Sequence, residues 1–157
     1  MKITLETNRL ILRPFELSDA EQMFFNWASD PEVTKYLTWN YHESIETTKM
    51  ILNMWLEEYN KPERINFGIV LKDKNELIGG IDVCGYIDSI PVIGYTLSRK
   101  YRNQGFMTEA SLEVLKFLKS LAIKDWGKLS KEFLTNTFAK TDTGEITNII
   151  TELYETN

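Results

Sequence analysis

The segment from Pro91 to Leu118 constrains the fold more than any other part of the chain. Residues 92–97 are apolar, uncharged and rich in β-forming types, which predicts a buried strand. A polar and basic turn runs from Ser98 to Gln104 and ends at Gly105. Helical spacing of apolar side chains follows, at Met107, Ala110, Leu112, Val114, Leu115 and Leu118. A strand is therefore expected to lead through a basic, glycine-containing turn into a helix.

Such a turn is suited to binding an anion. The first four N–H groups of a helix have no partner within it, and the helix dipole adds positive potential there. Gly105 has no side chain to keep a phosphate oxygen from the backbone, and Arg99, Lys100 and Arg102 supply charge nearby. The alternative is an ordinary strand–turn–helix connection whose basic side chains are only solvated. It stays open because one glycine and a few basic residues are a weak signal for a phosphate site.

The residues of this turn resemble a known loop. Arg102, Asn103, Gln104, Gly105, Phe106 and Met107, followed by Thr108-Glu109-Ala110, resemble the acyl-CoA pyrophosphate loop of the GNAT N-acetyltransferases. The family pattern is Arg or Gln, two residues, Gly, one residue, then Gly or Ala. Met107 replaces the last small residue, as in the branch that acetylates ribosomal-protein N-termini. The resemblance implies that Arg102 to Thr108 bind the diphosphate of acetyl-CoA, mainly through backbone N–H groups.

The amino-terminal half resembles the same branch at Thr7 to Pro14, at Ser18-Asp19-Ala20 and at Asp30 to Val33. The resemblance covers residues 3 to about 120 and implies an α+β fold, with a mixed, largely antiparallel sheet flanked by helices. Period-two patterns over residues 65–71, 76–87 and 90–97 independently predict three successive antiparallel strands. Helix starts are predicted at three caps, Ser18 (with Glu21 as its capping-box partner), Asp30 and Ser44.

The carboxyl-terminal end departs from the family pattern. We divide the chain into a GNAT-like acyl-CoA-binding core, residues 1–120, and an atypical helical tail, residues 121–157, in place of the usual last strands. Residues 145–155 carry an apolar stripe, at Ile146, Ile149, Ile150, Leu153 and Tyr154. This stripe requires burial, either against the chain's own sheet or against a second chain, as in a homodimer formed through the carboxyl-terminal helix.

Charge is distributed unevenly along the chain. The net charge is −5, which argues against general nucleic-acid binding. Residues 99–131 nevertheless carry eight basic and three acidic side chains, whereas the remainder carries ten and twenty. A basic segment suits a polyanionic cosubstrate and an acidic remainder suits an amine, although Lys116, Lys119, Lys124 and Lys128 are better explained as a solvated face.

Other counts narrow the class of protein. The single cysteine, Cys84, rules out an internal disulfide and favours a reducing, cytoplasmic location. One histidine and one cysteine cannot form a zinc site without several carboxylates, so no metal is expected. No apolar run approaches membrane-spanning length, so no membrane association is expected.

The resemblance also implies how acetyl transfer would occur. The pantetheine arm pairs with the strand at Tyr95, Thr96 and Leu97, and a backbone N–H near Thr96 or Leu97 donates to the thioester oxygen. Asp82, on the preceding strand, is the best candidate for the base that takes the amine proton, the alternative being a solvent-facing side chain. Tyr95 is a candidate acid, although core packing explains it at least as well, and Cys84 is treated as structural.

The acceptor is not identified by the sequence. The loop over residues 38–43 carries Trp39, Tyr41 and His42, which either shape an amine pocket or pack against the core. A surface position is expected for His42. The leading function is therefore an acyl-CoA-dependent N-acyltransferase acting on a protein N-terminus or a small amine. The alternatives are a CoA-binding or self-associating module without activity, and a nucleotide-binding module, which lacks the expected Gly-Lys-Ser/Thr.

Overall fold

A computed structural model of the chain describes residues 2–61, 64–87 and 90–120. Within these ranges five strands form one antiparallel sheet in chain order. The strands are β1 (Leu5–Glu6), β2 (Leu10–Arg13), β3 (Asn66–Leu71), β4 (Glu76–Ile87) and β5 (Ile90–Leu97). The predicted α+β fold with an antiparallel sheet is confirmed. The tail, its helix over residues 145–155 and the dimer contact lie outside the described residues and stay predictions.

Helices cover both faces of the sheet. The α-helices are α1 (Ala20–Met23), α2 (Pro31–Thr34), α3 (Ile45–Glu58) and α4 (Phe106–Ser120). A 3-10 turn, Leu17–Asp19, precedes α1, a π-helical turn, Phe24–Ala28, follows it, and a second 3-10 turn, Arg99–Tyr101, precedes α4. Two predicted caps are confirmed, because the Asp30 side chain accepts from the Glu32 N–H and the Ser44 side chain from the Thr47 N–H.

The first predicted cap is wrong. The helical segment begins two residues earlier, at Glu16, where the Glu16 side chain and the Asp19 side chain cap each other's backbone. Asp19 accepts from the Glu16 N–H at 2.8 Å and forms a bidentate pair with Arg13, 2.8 Å to each oxygen. The buried Asp19 thus accepts hydrogen bonds both from the helix start and from Arg13 on β2. Ser18 is exposed and does not fill this role.

Alternating strand residues send apolar side chains to opposite faces. One face packs against α4 in a core that includes Leu12, Phe67, Ile69, Ile81, Val83, Val114 and Leu118. The other face packs against the helices between β2 and β3, in a core that includes Phe15, Met23, Trp27, Leu52, Val70 and Leu77. Because Ile81 and Val83 belong to the α4 face, Asp82 between them belongs to the opposite face.

Two irregularities bend β4. Ile69 pairs with Gly79 but Val70 pairs with Leu77, so β4 has one extra residue there. A second extra residue, Cys84, lies where the pairing with β5 shifts after Val83. The β4 and β5 backbones approach closely beside the first bulge, because a Cβ built on Gly79 would lie 2.3 Å from the Thr96 carbonyl oxygen. The absence of a side chain at Gly79 is what permits this close approach.

We therefore expect Gly79→Ala to lower the free energy of unfolding by about 1–3 kcal/mol, because the added methyl overlaps a backbone atom that cannot move independently. Chemical denaturation followed by circular dichroism would measure the loss. Gly85→Ala is the matched control on the same strand, since a Cβ there meets nothing within 4 Å. Equal denaturation midpoints for the two variants would contradict this account of the close approach.

Candidate active site

A cleft of about 530 Å³ opens between α2 and the turn that precedes α4. Nine of the ten predicted acyl-CoA residues line it, namely Tyr95, Thr96, Leu97, Arg102, Asn103, Gly105, Phe106, Met107 and Thr108. Its opposite wall includes Val33 and Leu37. The remaining predicted residue, Gln104, is exposed and turned elsewhere, since its side chain donates to the Lys100 carbonyl and its own carbonyl accepts from Arg9.

The backbone of the turn is held in an uncommon conformation. Asn103 and Gly105 have φ angles of 59° and 78°, in the left-handed region. The Glu109 N–H donates to the Gly105 carbonyl at 3.0 Å, so this is where the hydrogen-bonding pattern of α4 begins. The N–H groups of the preceding residues are those to which a helix offers no internal partner. They belong to residues that line the cleft, which agrees with the predicted anion site.

The three basic side chains of the turn have different surroundings. Arg99 pairs with Asp30 at 2.6 Å, which links the turn to the start of α2. Lys100 lies 3.8 Å from Glu76. Of the three, Arg102 lines the cleft among the described residues, and its side chain is exposed. Arg102 is therefore the basic side chain best placed to meet a phosphate group.

A clamp from the turn between β1 and β2 fixes the start of α4. The Glu109 carboxylate accepts from the Arg9 backbone N–H at 2.8 Å, from Arg9 Nε at 2.7 Å and from the Thr7 hydroxyl. Arg9 also donates to the Gln104 carbonyl at 3.0 Å and stacks 4.2 Å from the Phe106 ring centroid. Partial burial acts to raise the pKa of Glu109, but these hydrogen bonds hold that pKa below its ordinary value.

The sequence analysis did not predict this clamp, although Thr7 to Pro14 and Thr108-Glu109-Ala110 each resemble family motifs. Thr7 and Arg9 lie about a hundred residues before Glu109, so no local pattern connects them. The charge at Glu109 gave no signal, because an acidic residue is favoured in the first turn of any helix. The fold alone shows that Glu109 accepts three hydrogen bonds from Thr7 and Arg9.

The outer edge of β5 offers backbone groups to the cleft. The Ser98 N–H donates to the Ile78 carbonyl at 2.8 Å, and the Thr96 carbonyl also points to β4, toward Gly79. Backbone groups alternate in direction along a strand, so those of Leu97 point to the opposite, outer edge. Among the described residues no strand pairs along that edge. Of the two N–H groups named as oxyanion donors, that of Leu97 is therefore the one facing outward.

A second pocket of about 380 Å³ adjoins the first and contains Asp82. Four residues line both pockets, namely Tyr36, Leu37, Tyr95 and Thr96. Asn66, Asp82 and Gly94 are direct cross-strand partners, so they form one row on the same face of the sheet. Asp82 thus faces a pocket that meets the first one at β5, and its side chain is 27% exposed rather than fully solvated.

Two opposing influences set the pKa of Asp82. Burial raises the pKa of the Asp82 carboxyl above its ordinary value, and the Arg64 guanidinium, 3.2 Å away, opposes the rise. Arg64 also pairs with Glu58 at 3.0 Å, which divides its charge between two carboxylates. A carboxyl with a raised pKa, in a pocket beside a second ligand cleft, has the properties of a general base.

The residues of the 38–43 loop are separated by the structure. Trp39 lines the second pocket, whereas Tyr41 and His42 do not. The expectation that His42 is a surface residue is wrong, since it is 7% exposed and its Nδ1 lies 2.8 Å from the Thr48 hydroxyl on α3. Burial lowers the pKa of His42, so the ring is held neutral as a packing group.

Two further candidates are placed as follows. Tyr95 packs against the α4-side core and also lines both pockets, so core packing does not exclude it from the site. Cys84 lies in the β4 bulge, donates to the Val92 carbonyl at 3.3 Å, and has a pKa raised by burial, which does not favour a thiolate.

In the described ranges, no cluster of side chains suits a metal ion. No helix in those ranges is both long and apolar enough to cross a membrane.

Comparison with known proteins identifies the family. The acetyltransferase (GNAT) domain matches residues 9–146, beyond residue 120, near which the motifs quoted above end. The uncharacterized N-acetyltransferase p20 of Bacillus licheniformis is 32% identical over 116 residues, which are 73% of this chain and 65% of that protein. The chain therefore spans less than two thirds of the length of this relative.

Solved structures agree on the fold. A GNAT-family acetyltransferase from Bacillus anthracis is 28% identical and superposes with a TM-score of 0.65, covering 77% of this chain and 69% of that one. RimL, a ribosomal L7/L12 α-N-protein acetyltransferase in complex with coenzyme A, has a TM-score of 0.64 at 18% identity, covering 73% and 67%. The second likeness is one of fold. From the domain match and the shared architecture, we conclude that this chain belongs to the GNAT acetyltransferase family.

Proposed function

We propose that this protein transfers an acetyl group from acetyl-CoA to the primary amine of a protein N-terminus or a small molecule, by direct attack in a ternary complex. The observation that carries the proposal is the junction of two pockets at β5. One pocket contains a helix start and Arg102, which suit a diphosphate, and the other contains a carboxyl suited to receive an amine. Two substrates can therefore meet beside Tyr95 and Thr96 without a covalent enzyme intermediate.

The cosubstrate is proposed to bind along the first cleft. The backbone at Gly105 to Thr108 and the side chain of Arg102 hold the diphosphate, for which charge-assisted hydrogen bonds contribute roughly 1.5–3 kcal/mol each. The pantetheine arm pairs with the outer edge of β5. The fold is shared with RimL, which was solved with coenzyme A, and this supports the choice of cosubstrate. The cytoplasmic location favoured by the sequence is part of the same proposal.

The chemistry follows from the two sides of β5. Asp82 accepts a proton from the bound ammonium, directly or through water, which frees the nitrogen lone pair. The nitrogen bonds to the thioester carbon, and the Leu97 N–H donates to the carbonyl oxygen as negative charge develops. The nitrogen loses its second proton, which passes through water to the sulfur as the carbon–sulfur bond breaks, so that coenzyme A leaves as the thiol. The acetylated amine is released, and Asp82 returns its proton to solvent.

Calorimetric titration of acetyl-CoA into the purified chain tests the proposal. We expect a Kd in the micromolar range, equivalent to about −8 kcal/mol, and no comparable binding of ATP. Release of free thiol on adding primary amines would then demonstrate transfer. Acetyl-CoA binding without thiol release from any amine would favour the inactive CoA-binding module instead. The absence of binding at millimolar acetyl-CoA would overturn the proposed cosubstrate.

A further inference from the structure

The second pocket has walls that the proposed reaction does not by itself require. Its lining includes five aromatic side chains, Phe15, Trp27, Tyr36, Trp39 and Trp55, whereas Tyr95 borders it from the strand and packs its ring against the α4-side core. Acetyl transfer to an amine needs a base and room for the nitrogen, but not a ring of aromatic side chains. These rings come from segments as distant as residues 15 and 55, so their convergence is a property of the fold and not of one local motif.

Several of the rings are held in place by one another. The Phe15 ring lies 5.0 Å from Trp55 at an interplanar angle of 49°, and 6.5 Å from Trp27 at 57°. Phe15 and Trp27 are buried, whereas Trp39 and Trp55 retain partial exposure. The floor of the pocket is therefore a fixed aromatic cluster, and the partly exposed rings remain open to a ligand. Aromatic pairs prefer such tilted or offset geometries.

The charge in the pocket is of one sign. Among its described lining residues, Asp82 is the one carboxylate, and none is Lys, Arg or His. Arg64, the cation that pairs with Asp82, is not part of the lining. An ammonium is attracted by this pocket, whereas a ligand carboxylate next to the amine would meet the Asp82 carboxylate with no cation in the lining to balance it.

A glycine leaves space for the amine beside the carboxylate. A Cβ built on Gly94 would lie 3.0 Å from Asp82 Oδ1 and 3.4 Å from Cys84 Sγ. Gly80, on the adjacent row of the same face, also lines the pocket. The sheet therefore lacks a side chain next to Asp82 at Gly94, whereas the Phe15 ring covers Gly80, where a Cβ would lie 3.1 Å from Phe15 Cζ. A small polar head and a large apolar body match this shape.

We infer that the acceptor is a primary amine carrying an aromatic ring about two carbons away and no neighbouring carboxylate. This inference rests on the proposed acetyl transfer and specifies its substrate class. Both an arylalkylamine and a peptide with an aromatic first residue have this chemistry. A free aromatic amino acid does not, because its carboxylate adjoins the amine.

Amine binding to the chain saturated with coenzyme A tests the inference without turnover. Calorimetry would compare L-phenylalaninamide, L-alaninamide and L-phenylalanine, which differ in the ring or in the carboxylate alone. We expect the first to bind at least about tenfold more tightly than each of the others, from burial of the ring and rejection of the acid. Phenethylamine and a phenylalanine-led dipeptide amide then distinguish a small-molecule acceptor from a peptide.

Variants identify the pocket responsible. Trp39→Leu should reduce the preference for phenylalaninamide over alaninamide to about threefold or less, while coenzyme A affinity is unchanged. Phe25→Leu is the control, because Phe25 is 73% exposed and lines neither pocket. Equal binding of the two amides, equal binding of phenylalanine and its amide, or no binding of any of them would overturn the inference. Acetylation of polar amines alone would also overturn it while leaving acetyl transfer intact.

Discussion

Replacement of Asp82 by asparagine should lower kcat for acetyl transfer by a factor of about 10²–10⁴, the range typical for loss of a positioned general base. Asparagine has the same shape but cannot accept the amine proton. The pocket and the Gly94 contact are preserved, so acetyl-CoA affinity should remain within about threefold of the wild-type value. Steady-state thiol release and calorimetry on the same preparation would measure the two quantities.

The pH profile adds a second readout. A base must be deprotonated to act, so kcat should be low at pH values below the pKa of Asp82 in the complex. It should rise as the pH increases through that pKa. Burial raises this pKa above the ordinary value for aspartate, which moves the acid limb toward neutral pH. In Asp82→Asn this limb should disappear from the residual activity. A limb that persists unchanged would assign the titration to another group.

Glu58→Gln is the matched control for this experiment. Glu58 is bound to the same guanidinium as Asp82, at 3.0 Å from Arg64 Nε, yet it lines neither pocket. Its replacement perturbs the charge on Arg64 without removing a group from the pocket. We expect kcat to remain within about threefold of wild type. A similar loss in both variants would indicate that the ion-pair cluster, and not the Asp82 proton, is responsible.

Local sequence predicted the parts of the site that are local in the chain. The phosphate turn is a strand, a basic turn and a helix in succession, and the structure brings nine of its ten proposed residues into one cleft. The exception, Gln104, is turned toward Arg9 and Lys100 by contacts that the motif does not contain. The sequence left open whether Asp82 faces the cleft or solvent, and the structure decides it, because Ile81 and Val83 pack on the α4 face.

Features built from distant segments could not be predicted in this way. The hydrogen bonds that tie Glu109 to Thr7 and Arg9 join the two ends of the described core. His42 is buried because α3 brings the Thr48 hydroxyl within 2.8 Å of it, which a loop sequence does not reveal. The aromatic pocket needs the whole fold, because its rings lie on separate elements and converge only when the sheet and helices pack.

Replacement of Gly105 by valine should weaken acetyl-CoA binding by about 100-fold or more, which corresponds to the loss of two charge-assisted hydrogen bonds at roughly 1.5 kcal/mol each. Gly105 has a φ of 78°, and a left-handed conformation costs a residue with a Cβ roughly 1–2 kcal/mol, with β-branched types the least tolerant. A Cβ there would also lie 3.3 Å from Arg9 Nη2. The variant therefore disturbs both the turn and the clamp on α4.

Gly105→Asn separates backbone strain from the presence of a side chain. Asparagine tolerates the left-handed region, as Asn103 does two residues earlier, so it should retain more affinity than valine. Calorimetry with acetyl-CoA, alongside thermal denaturation, would show whether binding falls further than stability. If valine and wild type bind equally, the turn is not the diphosphate site. If asparagine loses as much affinity as valine while both remain folded, the absence of a side chain at position 105 matters more than its backbone angle, because the phosphate must then approach where any Cβ would lie.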